Sequence, residues 1–222
     1  DYQVTGLPTA VEGAGGASEE PVDSDAVEYD WAGRSARLIG IVAHSVLRQI
    51  SEEGLQRWPL ARARRAAAQW RQRLQGMGLL GADLELATEA VVESVRRTLA
   101  DPRGQWLLDN EHAMARSEYP LTGVIDGALV NVVLDRTFVD DNAHRWIVDY
   151  KTGAHRGGGL DEFLDREQQR YRDQLERYAH LMYALDPRPT RLALYFPAIG
   201  AWREWTWHED ASKRDNNTAQ GQ

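Results

Sequence analysis

The sequence predicts a single α/β or α+β domain built on a mixed sheet, and three observations lead to that prediction. Apolar residues recur at helical spacing in the first half of the chain and alternate in the second half. At 222 residues, of which 42% are hydrophobic, the chain is long enough to bury one full core. Helices come first, followed by a three-stranded meander, a helix and strand again, an order typical of one mixed-sheet domain.

The first half is predicted to contain three helices. Apolar residues at helical spacing define the first one, within 33–54: Leu38, either Ile41 or Val42, Val46 and Ile50. Pro59 begins the second, which carries five arginines between Arg62 and Arg73. Asp83 is the expected cap of the third, and Pro102 follows its end. One apolar face identifies this third helix: Leu84, Ala87, Val91, Val95 and Leu99.

The second half is predicted to begin with three strands, mostly antiparallel, of which the last two are joined by a tight turn. Their sequences are SEYPLTGVIDG, ALVNVVLDRTFVD and HRWIVDYKTG. A helix is expected over roughly 161–185, and the segments TRLALYF and AWREWTW supply one or two further strands. Residues 1–30 are expected to be a disordered acidic linker, 31–210 the folded domain and 211–222 a disordered tail.

The turn between Asp140 and His144 decides how two acidic residues are placed. If residues 141–143 form a three-residue turn, Asp140 pairs with His144, and the same register puts Asp135 directly opposite Asp149. A two-residue turn would shift the register by one and send the two carboxylates to opposite faces. The sequence permits the three-residue turn without requiring it.

Two directly opposed carboxylates need compensation. At about 5 Å and an effective dielectric constant of about 20, they repel by on the order of 3 kcal/mol. Lys151, which strand alternation places on the same face as Asp149, is one candidate counter-charge. A divalent metal is another, since carboxylate oxygens are the usual ligands of Mg²⁺. A solvated sheet end that Lys151 merely neutralises is the alternative that spacing alone leaves open.

Two further polar residues occur on otherwise apolar helix faces. Gln174 belongs to a predicted stripe with Tyr171, Tyr178, Leu181 and Leu185. A buried glutamine needs hydrogen-bond partners, either in the sheet or in a ligand. His44 lies at the edge of the first helix's apolar face. Taken alone, each of them is more typical of a structural residue.

Four motifs, in order along the chain, resemble the RecB-type nuclease domain of the PD-(D/E)XK superfamily. They are GIVAHSVL, VVLDRTF, WIVDYKTG and YRDQLERY, and they span residues 40–178. Such domains lie at the C-terminal end of bacterial helicase–nucleases of the RecB and AddA kind. The resemblance implies a restriction-endonuclease-like core, in which helices flank a mixed central sheet with an antiparallel hairpin. It also implies Mg-dependent hydrolysis of DNA in double-strand-break repair and recombination, with exonuclease activity.

The resemblance also implies a role for each matching residue. His44, Asp135 and Asp149 look like metal ligands, together with the backbone carbonyl of Tyr150. Asp135, Asp149 and Lys151 look like the catalytic residues, with Lys151 orienting the attacking water and stabilising charge at the phosphate. The expected metal is Mg²⁺, with Mn²⁺ as a substitute.

The remaining motif implies contact with the DNA strand. Gln174 and Tyr178 resemble the Q-x-x-x-Y motif of the family, and Tyr171, one turn earlier on the same face, is expected to bind DNA with them. Asp126, in GVIDG, also looks like the family's second acid, but the hairpin register favours Asp135. Glu118, on the preceding strand, is a weaker contributor to the predicted site.

Composition limits the partners and cofactors. The chain has no cysteine, which excludes disulfides, thiol catalysis and an iron–sulfur cluster ligated by cysteine. The net charge of −8 disfavours nucleic acid binding overall, but binding depends on where charge is concentrated. The arginines between Arg62 and Arg73 are a candidate DNA track, a docking face or an ordinary solvated face. No apolar run reaches the ~20 residues of a membrane span, and the first residues have neither the basic start nor the apolar core of a signal peptide. A cytoplasmic location is therefore expected, and the resemblance implies that the protein is bacterial.

Partners and rival functions follow from the same sequence. It has no G-x-x-x-x-G-K-[ST] loop and therefore no ATP motor of its own. The resemblance implies two partners: single-stranded DNA ends and an upstream ATP-dependent helicase domain. The acidic start without an initiator Met favours the second, because it suggests a piece of a longer protein. The alternatives are a non-catalytic DNA-binding or assembly module with the nuclease fold, and a stand-alone nuclease.

Overall fold

The computed structural model describes three segments of the chain: 24–125, 127–153 and 158–209, with the side chains of 24–32 excepted. The predicted tail, 211–222, and the first 23 residues of the predicted linker lie outside these segments. The described residues form five α-helices and a short 3-10 helix, Leu55–Arg57. The helices are α1 (Ser24–Glu53), α2 (Leu60–Gly76), α3 (Gly81–Ala100), α4 (Pro102–Leu108) and α5 (Leu160–Leu185).

The described strands form one five-stranded sheet in the order β1-β2-β3-β4-β5. They are β1 (Ala113–Ile125), β2 (Ala128–Val139), β3 (Arg145–Tyr150), β4 (Thr190–Phe196) and β5 (Ala201–Trp207). Only the β3–β4 pair is parallel, and α5 forms its crossover. The predicted α/β class and mixed sheet are therefore confirmed, and the last segment contains two strands.

Two helix boundaries and one additional helix differ from the sequence prediction. α1 begins at Ser24 and so includes the end of the segment expected to be linker, because extending a formed helix costs far less than starting one. Leu80, not Asp83, precedes α3, since the Leu80 carbonyl accepts the first helical hydrogen bond from Leu84. α4 was not predicted; Asp101 caps it by accepting a hydrogen bond from the backbone N–H of Arg103.

Two apolar clusters, one on each face of the sheet, form the core. The first, the α1-face cluster, joins α1–α4 to Phe138, Trp146, Val148 and Tyr150 of the strands. The second, the α5-face cluster, joins α5 to Leu121, Leu134, Ile147 and three residues of β4. Strand alternation explains the division on β3, where even-numbered residues face α1 and odd-numbered residues face α5.

Burial also decides two details of the predicted helix faces. Val42, not Ile41, continues the buried face of α1, because Ile41 is 40% exposed. Leu185, expected on the buried stripe of α5, is exposed, because the buried contacts of that helix end at Met182.

The ribbon formed by β1 and β2 changes the face against which it packs. Leu134 belongs to the α5-face cluster and Phe138 to the α1-face cluster. Residues an even number apart stay on one face of a regular strand, so the ribbon turns over between them. The β1–β2 register shifts between Ala113 and Arg116, and nearby Glu118 has a φ of 49°, in the left-handed region. This turnover occurs in the row that carries the predicted acids.

A candidate metal centre between the first and last helices

The hairpin between β2 and β3 has the three-residue turn on which the site prediction depended. Backbone hydrogen bonds join Asp140 to His144 and Ala143 to Asp140, and Arg136 pairs with Val148. The Asp140 side chain organises the turn by accepting hydrogen bonds from the backbone N–H of Asn142 and of His144. These bonds, with one from the Trp146 indole, outweigh burial and lower the pKa of Asp140. The turn is thus built from local side-chain chemistry.

Three acidic residues lie in one row across the first three strands. Continuing the β2–β3 register by one step places Asp149 opposite Asp135. In β1, the pairs of Ser117 and Tyr119 with Arg136 and Leu134 leave Glu118 opposite Asp135. Adjacent carboxylates in one row are unfavourable without compensation. The row therefore gathers negative charge that other groups must neutralise.

The α1 side of this row forms a cluster of ligand atoms. His44, Glu118 and Asp135 each offer one atom, and these three atoms lie within 4.8 Å of one another. His44 Nδ1 is 3.4 Å from Asp135 Oδ1, and the imidazole ring meets the Tyr150 ring edge-on at 5.5 Å. Gly40, one turn before His44, lets α1 pack closely against Thr152, since a Cβ there would lie 2.9 Å from Thr152 Oγ1. α1 thus brings an imidazole to the acid row.

The α5 side of the row is organised differently. Asp149 Oδ2 lies 2.7 Å from Lys151 Nζ, an ion pair without well-directed hydrogen-bond geometry, and Asp149 Oδ1 accepts a hydrogen bond from Gln174. Gln174 also donates to the Tyr178 hydroxyl at 2.7 Å. The side chains of Asp149 and Lys151 are only 10% and 17% exposed. The second acid therefore has a built-in counter-ion and an amide partner.

The pKa shifts reflect this arrangement. Burial raises the pKa of Asp149 to about 6, and the charge of Asp135 adds to the rise, while Lys151 and His44 oppose it. Burial alone would lower the pKa of His44, but its contact with Asp135 and the charges of Asp149 and Glu118 raise it above its ordinary value. The site thus attracts positive charge, whether a proton or a cation.

The donor set fits a divalent metal. The cluster offers carboxylate oxygens and one imidazole nitrogen, which suit Mg²⁺ or Mn²⁺. The 3.4 Å between His44 Nδ1 and Asp135 Oδ1 is only slightly wider than the spacing of about 3 Å expected between neighbouring ligands of an octahedral ion. Asp149 lies one strand away, and its Oδ2 is already ion-paired with Lys151 at 2.7 Å.

The predicted ligands are thus brought together in part. The cluster contains the predicted ligands His44 and Asp135, together with Glu118, which was only a weak candidate. The backbone N–H of Tyr150 donates a hydrogen bond to Asp135 Oδ2 at 2.8 Å, and the ligand role of its carbonyl stays a prediction. Asp126, the alternative second acid, lies outside the described residues.

An open cleft of about 420 Å³ leads to the site. Arg37 and His44 of α1 line one wall, and Arg170 and Tyr171 of α5 line the other. Lys151 is part of the lining between them. Glu167 also lines the cleft and pairs with Arg170 at 3.6 Å, so a molecule with negative charge would meet Arg37 on the α1 wall and a partly neutralised Arg170 on the α5 wall.

Tyr171 makes a contact that differs from its predicted role. Its ring lies under Lys151 Nζ, 3.6 Å from the ring centroid, and the Arg170 guanidinium is 5.2 Å away. Gln174 and Tyr178 are engaged with Asp149 and with each other. Tyr171 thus contacts Lys151, Gln174 contacts Asp149, and Tyr178 contacts Gln174, while DNA contact stays a prediction for all three.

Arg136 is a site residue that sequence reasoning missed. Its buried guanidinium donates to the carbonyl oxygens of Leu107 and Asp109 and to the Ser117 hydroxyl. It therefore holds β2, at the residue next to Asp135, against the end of α4. Only its position beside Asp135 in the VVLDRTF motif could have signalled this, and that position does not reveal the carbonyl partners.

The arginines of α2 are mostly engaged with neighbouring residues. Arg62 pairs with Glu53, Arg71 with Glu85, and Arg73 donates to the Ser45 hydroxyl. Arg64 and Arg65 are exposed and form no ion pair with any residue that the structure describes. The DNA track stays a prediction, and Arg64 and Arg65 are its side chains with neither an ion pair nor a side-chain hydrogen bond among the described residues.

Comparison with known proteins adds one strong finding. A family model described as the PD-(D/E)XK nuclease superfamily matches residues 27–218. Among solved structures, the chain is similar to one titled "Crystal structure of SSO0001", with 15% identity over 82% of this chain and 87% of that chain. The TM-score is 0.30, too low for that likeness to bear on function. No curated protein matches the sequence significantly.

The helices of the described segments were also compared with the requirements of a bilayer. None of them combines the length and the hydrophobicity that a membrane crossing requires.

Proposed function

Because this chain belongs to the PD-(D/E)XK nuclease superfamily, we propose that it is a metal-dependent deoxyribonuclease that hydrolyses phosphodiester bonds. The superfamily that the four motifs predicted is thereby confirmed, and the five-stranded mixed sheet flanked by helices is consistent with its restriction-endonuclease-like fold. The observation that supports activity most is the shared row of Glu118, Asp135 and Asp149, with His44 on one side and Lys151 on the other.

In this proposal His44, Glu118 and Asp135 hold the metal, with Asp149 completing the set. Mg²⁺, or Mn²⁺ in its place, would activate water and neutralise charge on the phosphate. Lys151 lines the cleft beside Asp149 and places a positive charge where the phosphate would lie. Gln174 holds Asp149 in place, because its amide donates to the oxygen that Lys151 does not contact.

The finer parts of the proposal concern the substrate and its context. The resemblance to RecB-type domains supports an exonuclease that acts on single-stranded DNA ends in repair and recombination. A helicase domain upstream in the same chain or complex would deliver the strand, in the bacterial cytoplasm. Arg37 on the α1 wall of the cleft supports a negatively charged strand as ligand, while Arg170 on the α5 wall is paired with Glu167.

Cleavage of end-labelled linear single-stranded DNA tests the proposal. Mg²⁺ and Mn²⁺ are compared with EDTA, and wild type is compared with Lys151→Ala. The matched control is Lys213→Ala, since Lys213 is the only other lysine of the chain. Metal-dependent cleavage that Lys151→Ala abolishes and Lys213→Ala retains is the expected result.

Two other outcomes have distinct meanings. Failure to cleave and failure to bind divalent metal by calorimetry would refute the nuclease proposal and favour a DNA-binding or assembly module. Cleavage only when a helicase partner is added would retain the nuclease and support the larger assembly.

A further inference from the structure

Lys151 is held on two sides by groups from different elements. On one side Asp149, two residues earlier on the chain, places Oδ2 at 2.7 Å from Nζ. On the other, the Tyr171 ring of α5 places its centroid at 3.6 Å. A cation over an aromatic face is attracted by the negative face of the ring, and more strongly where water is excluded. The lysine side chain is only 17% exposed, so this contact is partly desolvated.

Two residues of α5, one turn apart, contact the two members of the ion pair. Gln174 donates to one oxygen of Asp149, and Tyr171, three residues earlier on the same helix face, contacts the ammonium that faces the other oxygen. Side chains three residues apart on a helix are neighbours, so a single stretch of α5 fixes both members of the ion pair. A flexible lysine side chain would otherwise sample many rotamers.

This contact removes one face of the Tyr171 ring from use as a stacking surface for DNA bases. A base stacks on an open aromatic face, and the ammonium of Lys151 already covers one face at van der Waals distance. Arg170 lies over the same ring at 5.2 Å. The ring is thus engaged with cations of the protein itself.

We propose that Tyr171 is a positioning residue, whose ring face holds the Lys151 ammonium beside Asp149, and that it does not stack on a base. The inference rests on the proposed nuclease function only for its catalytic consequence. The geometric part concerns Lys151 alone and is testable in a protein without activity.

Chemical acylation gives a readout that does not depend on activity. The chain has two lysines, so limited acetylation with acetic anhydride, followed by peptide mass spectrometry, gives the ratio of modification at Lys151 to that at Lys213. Losing the ring should free the amine, and we expect Tyr171→Leu to raise this ratio about fivefold. Tyr171→Phe keeps the ring and should leave the ratio unchanged.

A matched control separates the ring contact from general loosening of α5. Tyr183 lies on the same helix and contacts Trp207, so Tyr183→Leu should leave the Lys151 ratio unchanged. An unchanged ratio in Tyr171→Leu, or an equal rise in Tyr171→Phe, would overturn the proposal. If Tyr171→Leu does not fold by circular dichroism, Tyr171→Met is judged by the same criteria.

Kinetics and DNA binding complete the test. Tyr171→Leu should lower kcat about fivefold or more and leave KM and oligonucleotide affinity within about twofold, because the residue acts through Lys151. A base-stacking role predicts instead a loss of affinity of about 5- to 150-fold, measured by fluorescence anisotropy. If wild type neither cleaves DNA nor binds divalent metal, the proposed function fails, while the acylation ratios still decide the role of Tyr171.

Discussion

The two ends of the acid row solve the same electrostatic problem in different ways. On the α5 side, Asp149 is neutralised inside the protein by Lys151 and by the Gln174 amide. On the α1 side, Asp135 accepts the Tyr150 N–H, but the only counter-charge that the described residues offer to Glu118 and Asp135 in this cluster is the His44 imidazole, which is weak and pH-dependent. Only the acid at the α5 end of the row is neutralised by the protein itself. The α1 side is therefore the part that a metal would complete.

Asp135→Asn tests most directly whether the α1 side of the row binds a metal. The amide oxygen can still accept the hydrogen bond from the Tyr150 N–H, so the fold should persist while the central charge is lost. We expect cleavage to fall at least about 10³-fold and Mn²⁺ binding to become undetectable by calorimetry. Asp141→Asn, in the exposed turn of the same hairpin, is the matched control and should behave as wild type. Metal binding of ordinary strength by Asp135→Asn would refute the α1 site.

Lys151→Met tests the other end of the row. Because Asp149 is buried, loss of its counter-ion should lower the free energy of unfolding by on the order of 3 kcal/mol, as well as abolishing most activity. Adding Asp149→Asn should restore stability but not activity. Urea denaturation of the single and double variants measures this. Equal stability of Lys151→Met and wild type would show that the ion pair does not neutralise Asp149.

The pH dependence of stability sharpens the comparison. The pKa of Asp149 rises from 3.8 in the unfolded chain to about 6 in the fold, so between these values the folded state binds more protons. The free energy of unfolding contributed by this group should therefore fall as pH rises from about 4 to 6, by at most about 3 kcal/mol. The raised pKa of His44 gives a contribution of the same sign, present below 6.5 and lost as pH rises through its folded value.

Denaturation in urea across this pH range, without metal, measures the effect. Asp149→Asn should show a flatter profile than wild type, because it removes the titrating group. A parallel profile for the two proteins would contradict the burial of Asp149 as the source of the shift.

Glu118→Gln should have a smaller effect than loss of Asp135, because Glu118 lies at the edge of the row. We expect Mn²⁺ affinity to fall about tenfold and the fold to be unaffected. Glu89→Gln, at an exposed position of α3, is the control. Calorimetric titrations that show equal affinity for Glu118→Gln and wild type would remove Glu118 from the metal site.

Arg64→Ala with Arg65→Ala should have the smallest effect and tests whether binding extends beyond the row. These exposed side chains are expected to add only a few-fold to oligonucleotide affinity at low salt, with a shallower salt dependence when they are removed. Arg71→Ala is the comparison, since Arg71 is paired with Glu85. Anisotropy titrations at several salt concentrations measure both. A loss of a hundredfold would instead make α2 a principal DNA-binding surface.

Features of the fold that depend on a few neighbouring residues were predicted from the sequence more often than features that depend on packing. The strands and the hairpin register were predicted because alternation and turn chemistry act over a few residues, as at Asp140. The start of α3 and the existence of α4 were missed, because the Leu80 carbonyl and the Asp101 cap gave no unambiguous sequence signal. Leu185 was misassigned, since periodicity does not show where packing stops.

The sequence by itself determined that Lys151 would share a face with Asp149, because a strand has a period of two, and it showed that Asp135 would lie opposite Asp149 if the turn had three residues. The tertiary structure alone decided which groups meet them. His44 arrives through the packing of α1, Glu118 through the turnover of the β1–β2 ribbon, and the Tyr171 ring through the crossover helix. These contacts join residues far apart in the chain, and long-range packing, which no local pattern encodes, brings them together.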